Sequence, residues 1–269
     1  MTKTILITGA TDGIGLATVN MLAELGHNLI LHGRSQQKLK DVEQQVKGDF
    51  NIQTSSYVAD LTDLGASKQM VDDINNAHPV VDVVINNAGV FSVAQTKTKQ
   101  GLDIRFVVNT FAAYLLTREF MKVMPASGRI INLSSAAQAP VWLDALSGSV
   151  DMEDNNAYAQ SKLALTMFSR YLAEHKATTE PIIIAVNPGS LLASKMVKDA
   201  YGIAGNDLSI GARVLTDAAL SDRFGKANGL YFDNDSGQFA SPHRDALDQD
   251  ICSKVSKAIE DKVNWLLQQ

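Results

Sequence analysis

Short apolar runs recur along the chain, separated by longer stretches in which apolar residues return every three or four positions. The runs cover 4–8, 28–32, 80–86, 129–133, 181–187 and 229–232. Several carry β-branched residues at successive positions, as strands buried on both faces of a parallel sheet do. Between the runs the spacing predicts helices. Over 14–25, Leu16, Val19, Leu22 and Ala23 share one helical face, and Gly26 ends the stretch. Residues 102–124 and 157–175 form longer amphipathic stretches. Strand alternating with helix predicts βαβ units, hence an α/β fold with a Rossmann-type, doubly wound parallel sheet. No repeat, Pro/Ser-rich linker or low-complexity tract breaks the pattern, so one domain over 1–269 is expected. Two segments, 136–156 and 233–247, show no period and read as long connections. Such connections are usually functional or disordered. Val141, Trp142, Leu143 and Leu146 favour order in the first.

Composition narrows the classes. A chain of 269 residues that is 45% hydrophobic fits one α/β domain with a sizeable core. A formal charge of −5 lacks the basic excess of a nucleic-acid surface, so no nucleic-acid partner is expected. The single cysteine, Cys252, excludes an intrachain disulfide and points to a reducing compartment. It sits in a helix-like stretch among Lys and Ser, which argues against a catalytic role. The first residues, MTKTILITGA, do not form a signal-peptide pattern. No run approaches the ~20 apolar residues that span a bilayer. The expected setting is cytoplasmic, with no membrane span. The five histidines are scattered, and in the segment 233–237 the glycine stands one position early for a calcium loop, so no metal site is expected.

Candidate chemistry begins at TGATDGIG, residues 8–15. Gly9, Gly13 and Gly15 follow an apolar strand and open a helix, the context of a phosphate-binding loop. Glycines there permit close approach of backbone to pyrophosphate, and the helix start offers unpaired N–H groups. A plain βα turn would need glycines too. Further on, Tyr158 and Lys162 stand four residues apart in a helical stretch and so share a face. An ammonium beside a phenol favours the phenolate, which suits proton transfer near neutral pH. Taken alone, this spacing is more often an ordinary surface pair. The strand 129–133 ends in Ser134 and Ser135, which could donate to a substrate oxygen or simply cap a helix. Asn86 to Gly89 and Asn187 to Gly189 end two more strands. All these turns would face the carboxyl edge of the sheet, where ligands of open parallel sheets bind.

Together the motifs resemble the short-chain dehydrogenase/reductase superfamily. They are TGATDGIG (8–15), Asp60-Leu61, NNAG (86–89), Asn109, NLSS (132–135), YAQSK (158–162) and NPG (187–189), in family order. The resemblance implies a catalytic set of Asn109, Ser135, Tyr158 and Lys162, with Ser134 as the alternative serine. It implies Tyr158 as acid/base, Lys162 as the group that lowers its pKa and holds the nicotinamide ribose, and Asn109 at a helix kink anchoring a relay water. It also implies coenzyme contacts from Gly9, Thr11, Asp12, Gly13, Ile14, Gly15, Arg34, Asp60, Leu61, Asn87, Ala88, Gly89, Tyr158, Lys162, Pro188 and Gly189. Ser194 would take the place of the usual Thr after NPG if the loop holds one extra residue. Ser135 and Tyr158 lie 23 residues apart, a longer gap than in most members. The extra length, 136–156, resembles that of the retinol-dehydrogenase-like and protochlorophyllide-reductase-like branches. The family commonly dimerises through two long helices, so a homodimer is expected, unless this insert obstructs it.

The coenzyme is read from the second strand. NAD users in this family usually carry an acidic residue at its end, where this chain has Gly33 followed by Arg34. A guanidinium suits a 2′-phosphate, so NADP(H) is expected over NAD(H). Asp12 cuts against this, unless it caps the following helix. The resulting expectation is an NADP(H)-dependent oxidoreductase acting on a carbonyl/alcohol pair. The substrate is expected to be an apolar aldehyde, ketone or secondary alcohol, enclosed by segments 136–156, 190–204 and 233–247 with Trp142, Leu143, Leu191, Leu192 and Met196. The alternatives are a catalytically silent nucleotide-sensing or scaffold protein on the same fold, or an NAD-dependent dehydrogenase. The intact Tyr158/Lys162 pair favours an enzyme.

Overall fold

A computed structural model describes residues 1–193, 202 and 205–269. Seven strands run parallel: β1 (Thr4–Thr8), β2 (Asn28–Gly33), β3 (Thr54–Val58), β4 (Val83–Asn86), β5 (Arg129–Leu133), β6 (Ile182–Asn187) and β7 (Tyr231–Asp233). The short β8 (Gln238–Ala240) closes the edge antiparallel to β7. The spatial order is β3-β2-β1-β4-β5-β6-β7-β8, so the winding reverses between β1 and β4. That reversal opens a crevice at the carboxyl ends of β1 and β4.

Both faces of the sheet are apolar because successive side chains alternate. Leu6, Ile30, Val84, Ile130 and Ile183 lie in register on one face. Ile7, Leu31, Ile85, Ile131 and Ile184 lie in register on the other. The first face is covered by α3 (Leu64–Ala77), α5 (Ala113–Met121) and α7 (Asp154–His175); the second by α1 (Gly13–Glu24), α2 (Gln36–Asp49) and α8 (Leu208–Leu220). The doubly wound α/β expectation therefore holds. The C-terminal α9 (Gln249–Leu266) packs Val255, Ile259 and Val263 into the α5/α7 core. Its Asn264 accepts a hydrogen bond from Arg118 of α5 at 2.8 Å. Among the described residues, no helix is long and apolar enough to cross a membrane.

Where the pattern missed, the cause is physical. β3 reads TSSYV and is half-exposed at the sheet edge, so polar residues suffice there. Ser56 donates to Glu43 of α2 at 2.7 Å, and Ser55 and Tyr57 each lie 3.1 Å from His78 Nε2. Segment 233–247 is not one loop: β7 turns into β8, and one turn of 3₁₀ helix follows at Arg244–Leu247. Strands of three residues are too short to show a period. Within 136–156, α6 (Leu143–Ser147) buries Leu146, whereas Trp142 and Leu143 remain half-exposed. Leu16, expected inside α1, is only half-buried.

Candidate active site

The glycine loop joins β1 directly to α1. A β-carbon built on Gly15 would stand 2.1 Å from the Gly9 carbonyl oxygen and 2.6 Å from Asn87 Nδ2. Any side chain at 15 would force the loop and the helix start apart, so the position demands glycine. Asn87 Nδ2 donates to the carbonyls of Thr8 (2.8 Å) and Gly9 (3.2 Å), and the Ala88 N–H donates to Thr8 Oγ1 (3.0 Å). The end of β4 is thereby sewn to the glycine loop. Asp12 caps α1, accepting from the Gly13 N–H at 2.8 Å. Its negative charge complements the positive end of that helix. Ile14 packs against Gly211 of α8.

At the end of β2, a β-carbon on Gly33 would lie 3.1 Å from the Thr11 methyl. Arg34 is exposed and forms no ion pair among the described residues. After β3, Asp60 accepts from Thr62 N (3.0 Å) and Thr62 Oγ1 (2.9 Å), while Leu61 is buried in the core. Four neighbouring strands thus set the glycine loop, Arg34, Asp60-Leu61 and Asn87–Gly89 along one edge.

α7 brings Tyr158 and Lys162 together one turn apart. Lys162 Nζ lies 5.7 Å from the centre of the Tyr158 ring, and Phe91 meets that ring edge-on at 4.9 Å. Lys162 is buried, and Nζ donates to the Leu133 carbonyl at 2.7 Å. Burial brings its pKa down to about 8. A β-carbon on Gly89 would come within 3.3 Å of Asn109 Oδ1 and 3.4 Å of Lys162 Nζ, so the end of β4 touches both groups. Asn109 lies where the helix widens into a π turn over Val107–Ala112, between α4 (Ile104–Phe106) and α5. Its Oδ1 accepts from Val90 N (2.8 Å); its Nδ2 donates to Val90 O (2.9 Å) and Ser161 Oγ (3.0 Å).

The two serines differ in setting. Ser134 is buried, and its hydroxyl lies 2.6 Å from Thr166 Oγ1. Ser135 is half-exposed at the strand end; its Oγ accepts from Ala137 N at 3.1 Å. Its carbonyl accepts from Gln138 Nε2 (2.9 Å) and the Tyr231 hydroxyl (3.1 Å). Beside it opens a cavity of about 290 Å³ lined by Gln138, Tyr231, Asp233, Ser241 and His243 among others. A similar cleft of about 310 Å³ at Arg213 and Arg223 touches none of the predicted site residues.

After β6, the turn from β7 to β8 clamps Pro188 and Gly189. Asn187 Nδ2 donates to Asp233 Oδ1 (2.7 Å) and Asp235 Oδ2 (2.9 Å), Ser190 N donates to Asp235 Oδ1 (2.8 Å), and Asn234 Nδ2 donates to Pro188 O (2.9 Å). Burial raises the Asp233 pKa, but hydrogen bonds from Asn187 and Ser236 outweigh it and hold the carboxyl below its usual range. Ser194 and Met196 lie outside the described residues, as does most of 190–204. Cys252 is buried, and burial pushes its thiol up to about 11.

Several positioning groups escaped the sequence reading. Arg105 is fully buried, binds Asp103 through both Nε (2.8 Å) and Nη2 (2.6 Å), and pairs with Asp154 at the start of α7 through Nη1. Lys97 pairs with Asp151 at 2.5 Å. The 96–106 segment therefore braces the end of the insert four residues before Tyr158. Two opposite charges two residues apart in an apolar helix start were the available signal. Thr8, His32, Ser161 and Tyr231 offered none, since each is ordinary in its local pattern.

Comparison with known proteins agrees with this geometry. The family model described as short chain dehydrogenase matches residues 3–201. Retinol dehydrogenase 13 of Homo sapiens is 28% identical over 280 residues, covering 94% of this chain and 82% of that protein. Polyprenol dehydrogenase of Homo sapiens is 34% identical over 195 residues, covering 68% of this chain and 59% of that protein. A short chain dehydrogenase from Burkholderia cenocepacia J2315, solved in complex with NADP, superposes with a TM-score of 0.71 at 23% identity, over 87% of this chain and 97% of its own. With a glycine-loop edge facing a Tyr/Lys helix and a family match over most of its length, this chain is a member of the short-chain dehydrogenase family.

Proposed function

We propose that the chain is an NADP(H)-dependent oxidoreductase that interconverts an apolar alcohol and its aldehyde or ketone. The observation that carries this reading is the meeting of Tyr158, Lys162 and Asn109 beside Gly89, at the strand ends that also hold the glycine loop and, after β5, Ser135. The residues fit a dinucleotide. The cradle at Gly9, Gly13 and Gly15 would take the pyrophosphate, with α1 presenting its N-terminus. Asp60, Leu61, Asn87, Ala88 and Gly89 would line the adenosine half, and Pro188 with Gly189 the nicotinamide half. When bound, NADP(H) supplies or accepts the hydride.

The protein's part is proton transfer and positioning. In reduction, Ser135 and Tyr158 would donate hydrogen bonds to the carbonyl oxygen, and Tyr158 would pass its phenolic proton to that oxygen. Lys162, with its proton affinity reduced by burial, would favour the phenolate left behind. Asn109, locked to Val90 and Ser161, would fix the helix wall behind the pair. NADP(H) is supported by the strand end itself: Gly33 offers no carboxylate there, and Arg34 stands exposed beside it. Asp12 is engaged with the start of α1, which reduces its conflict with a phosphate. The Burkholderia cenocepacia relative in complex with NADP shares the fold. An apolar substrate is supported by half-exposed Trp142, Leu143 and Leu191 and by relatives named for retinol and polyprenol.

Steady-state kinetics with both coenzymes and a panel of aldehydes, ketones and alcohols tests the reading. NADP(H) is expected to be preferred, and Arg34→Ala to raise its KM at least tenfold. Tyr158→Phe should cut kcat by about 10² or more with coenzyme affinity retained. Preference for NAD(H), or substantial turnover by Tyr158→Phe, refutes it.

A further inference from the structure

His32 is a buried imidazole in the penultimate position of β2, in register with Thr8 of β1 and Tyr57 of β3. Among the described residues its ring makes no side-chain hydrogen bond; it bridges two backbone groups from different loops. Nδ1 accepts from the Gly9 N–H at 3.3 Å, and Nε2 lies 3.2 Å from the Ala59 carbonyl oxygen. An N–H can only donate and a carbonyl can only accept, so the two partners select one neutral tautomer, with the proton on Nε2. Burial lowers the pKa to about 4, against the Ala59 bond, so this tautomer persists at neutral pH. The backbone adds to the same connection. The His32 carbonyl accepts from Ala10 N at 2.9 Å, and Gly33 O accepts from Ala59 N at 3.3 Å.

The two bridged groups are not arbitrary. Gly9 is the first glycine of the loop, and Ala59 immediately precedes Asp60 and Leu61. They bound the adenosine half of the proposed nucleotide site from opposite sides. We infer that His32 is a positioning residue for coenzyme: its Nδ1 holds the glycine loop through the Gly9 N–H, while the Nε2 bond to Ala59 fixes the tautomer that leaves Nδ1 an acceptor. This rests on the proposed dinucleotide reading and adds to it a residue that touches no substrate. Without that acceptor the Gly9 N–H loses its partner, and the glycine loop can satisfy it only by moving.

Titration of the purified full chain with NADPH and NADH, followed by nicotinamide fluorescence, tests this with three variants. His32→Leu keeps bulk but removes both bonds, and should weaken the preferred coenzyme at least tenfold. His32→Asn offers Oδ1 at the place of Nδ1 and can still accept from Gly9; it should stay within threefold of the wild type. His32→Gln reaches the Nε2 place but cannot accept from Gly9, and should bind like His32→Leu. A merely structural role would make affinity follow thermal stability across the three instead of the presence of an acceptor at the Nδ1 place. If His32→Leu does not fold, the contrast between Asn and Gln decides. Equal affinities for those two, or wild-type affinity in His32→Leu, overturns the inference while the dinucleotide reading stands. Failure of the wild type to bind either coenzyme overturns both.

Discussion

Lys162 should cost the folded protein stability, and replacing it with methionine should expose the cost. The buried ammonium has a pKa brought from 10.5 to about 8 by desolvation. At 1.36 kcal/mol per pKa unit, that corresponds to roughly 3 kcal/mol against the folded, protonated state at pH 7. Lys162→Met removes the charge and keeps much of the volume. It also removes the hydrogen bond to the Leu133 carbonyl, a loss of about 1 kcal/mol. The net expectation at pH 7 is a variant about 2 kcal/mol more stable than the wild type, a rise in Tm of roughly 4–8 °C for a domain of this size. The sign of the pH dependence follows from linkage. Between pH 8 and 10.5 the unfolded lysine holds its proton and the folded one has released it. The wild type therefore gains stability as pH rises through that window. The advantage of Lys162→Met should shrink above pH 8 and vanish at about pH 9–10, while activity is lost throughout. Calorimetry of both proteins without coenzyme, from pH 6 to 10, measures this. A Tm difference independent of pH, or a variant less stable at pH 7, refutes the argument that burial governs this lysine.

Arg105→Met should destabilise the protein by about 3 kcal/mol in denaturant unfolding, because it strands the nearly buried Asp103. Adding Asp103→Asn should recover part of that loss. Gly15→Ala places a methyl on the Gly9 carbonyl, so coenzyme affinity in a direct titration should fall at least tenfold. The serines should separate: Ser135→Ala lowering kcat by about 10²–10³, Ser134→Ala leaving kcat near normal and costing about 1 kcal/mol of stability through its lost bond to Thr166.

Local pattern carried the fold class and the chemical groups. Ile5, Ile7, Leu29, Leu31, Val83 and Ile85 read as buried strands because a parallel sheet covered on both sides needs consecutive apolar residues. Gly15 was legible because its contact is with its own loop, six residues away. Helical spacing put Tyr158 and Lys162 on one face, and the resemblance of the whole motif set, not the spacing alone, singled them out. Gly33 with Arg34 was legible as a departure from an acidic strand end. Tertiary structure decided the rest, for the reason that its partners are distant along the chain. Arg105 reads as a surface charge until Asp154 arrives from α7. The different settings of Ser134, bonded to Thr166, and Ser135, whose carbonyl meets Tyr231, come from partners that no local pattern links to them. His32 sits unremarked in an apolar strand, and only the parallel pairing of β1, β2 and β3 brings Gly9 and Ala59 to its two nitrogens. A sequence displays periodicity and residue type, which are properties of neighbours. Which buried polar group meets which is a property of the winding, since a parallel sheet brings together strand ends separated by a helix and two loops.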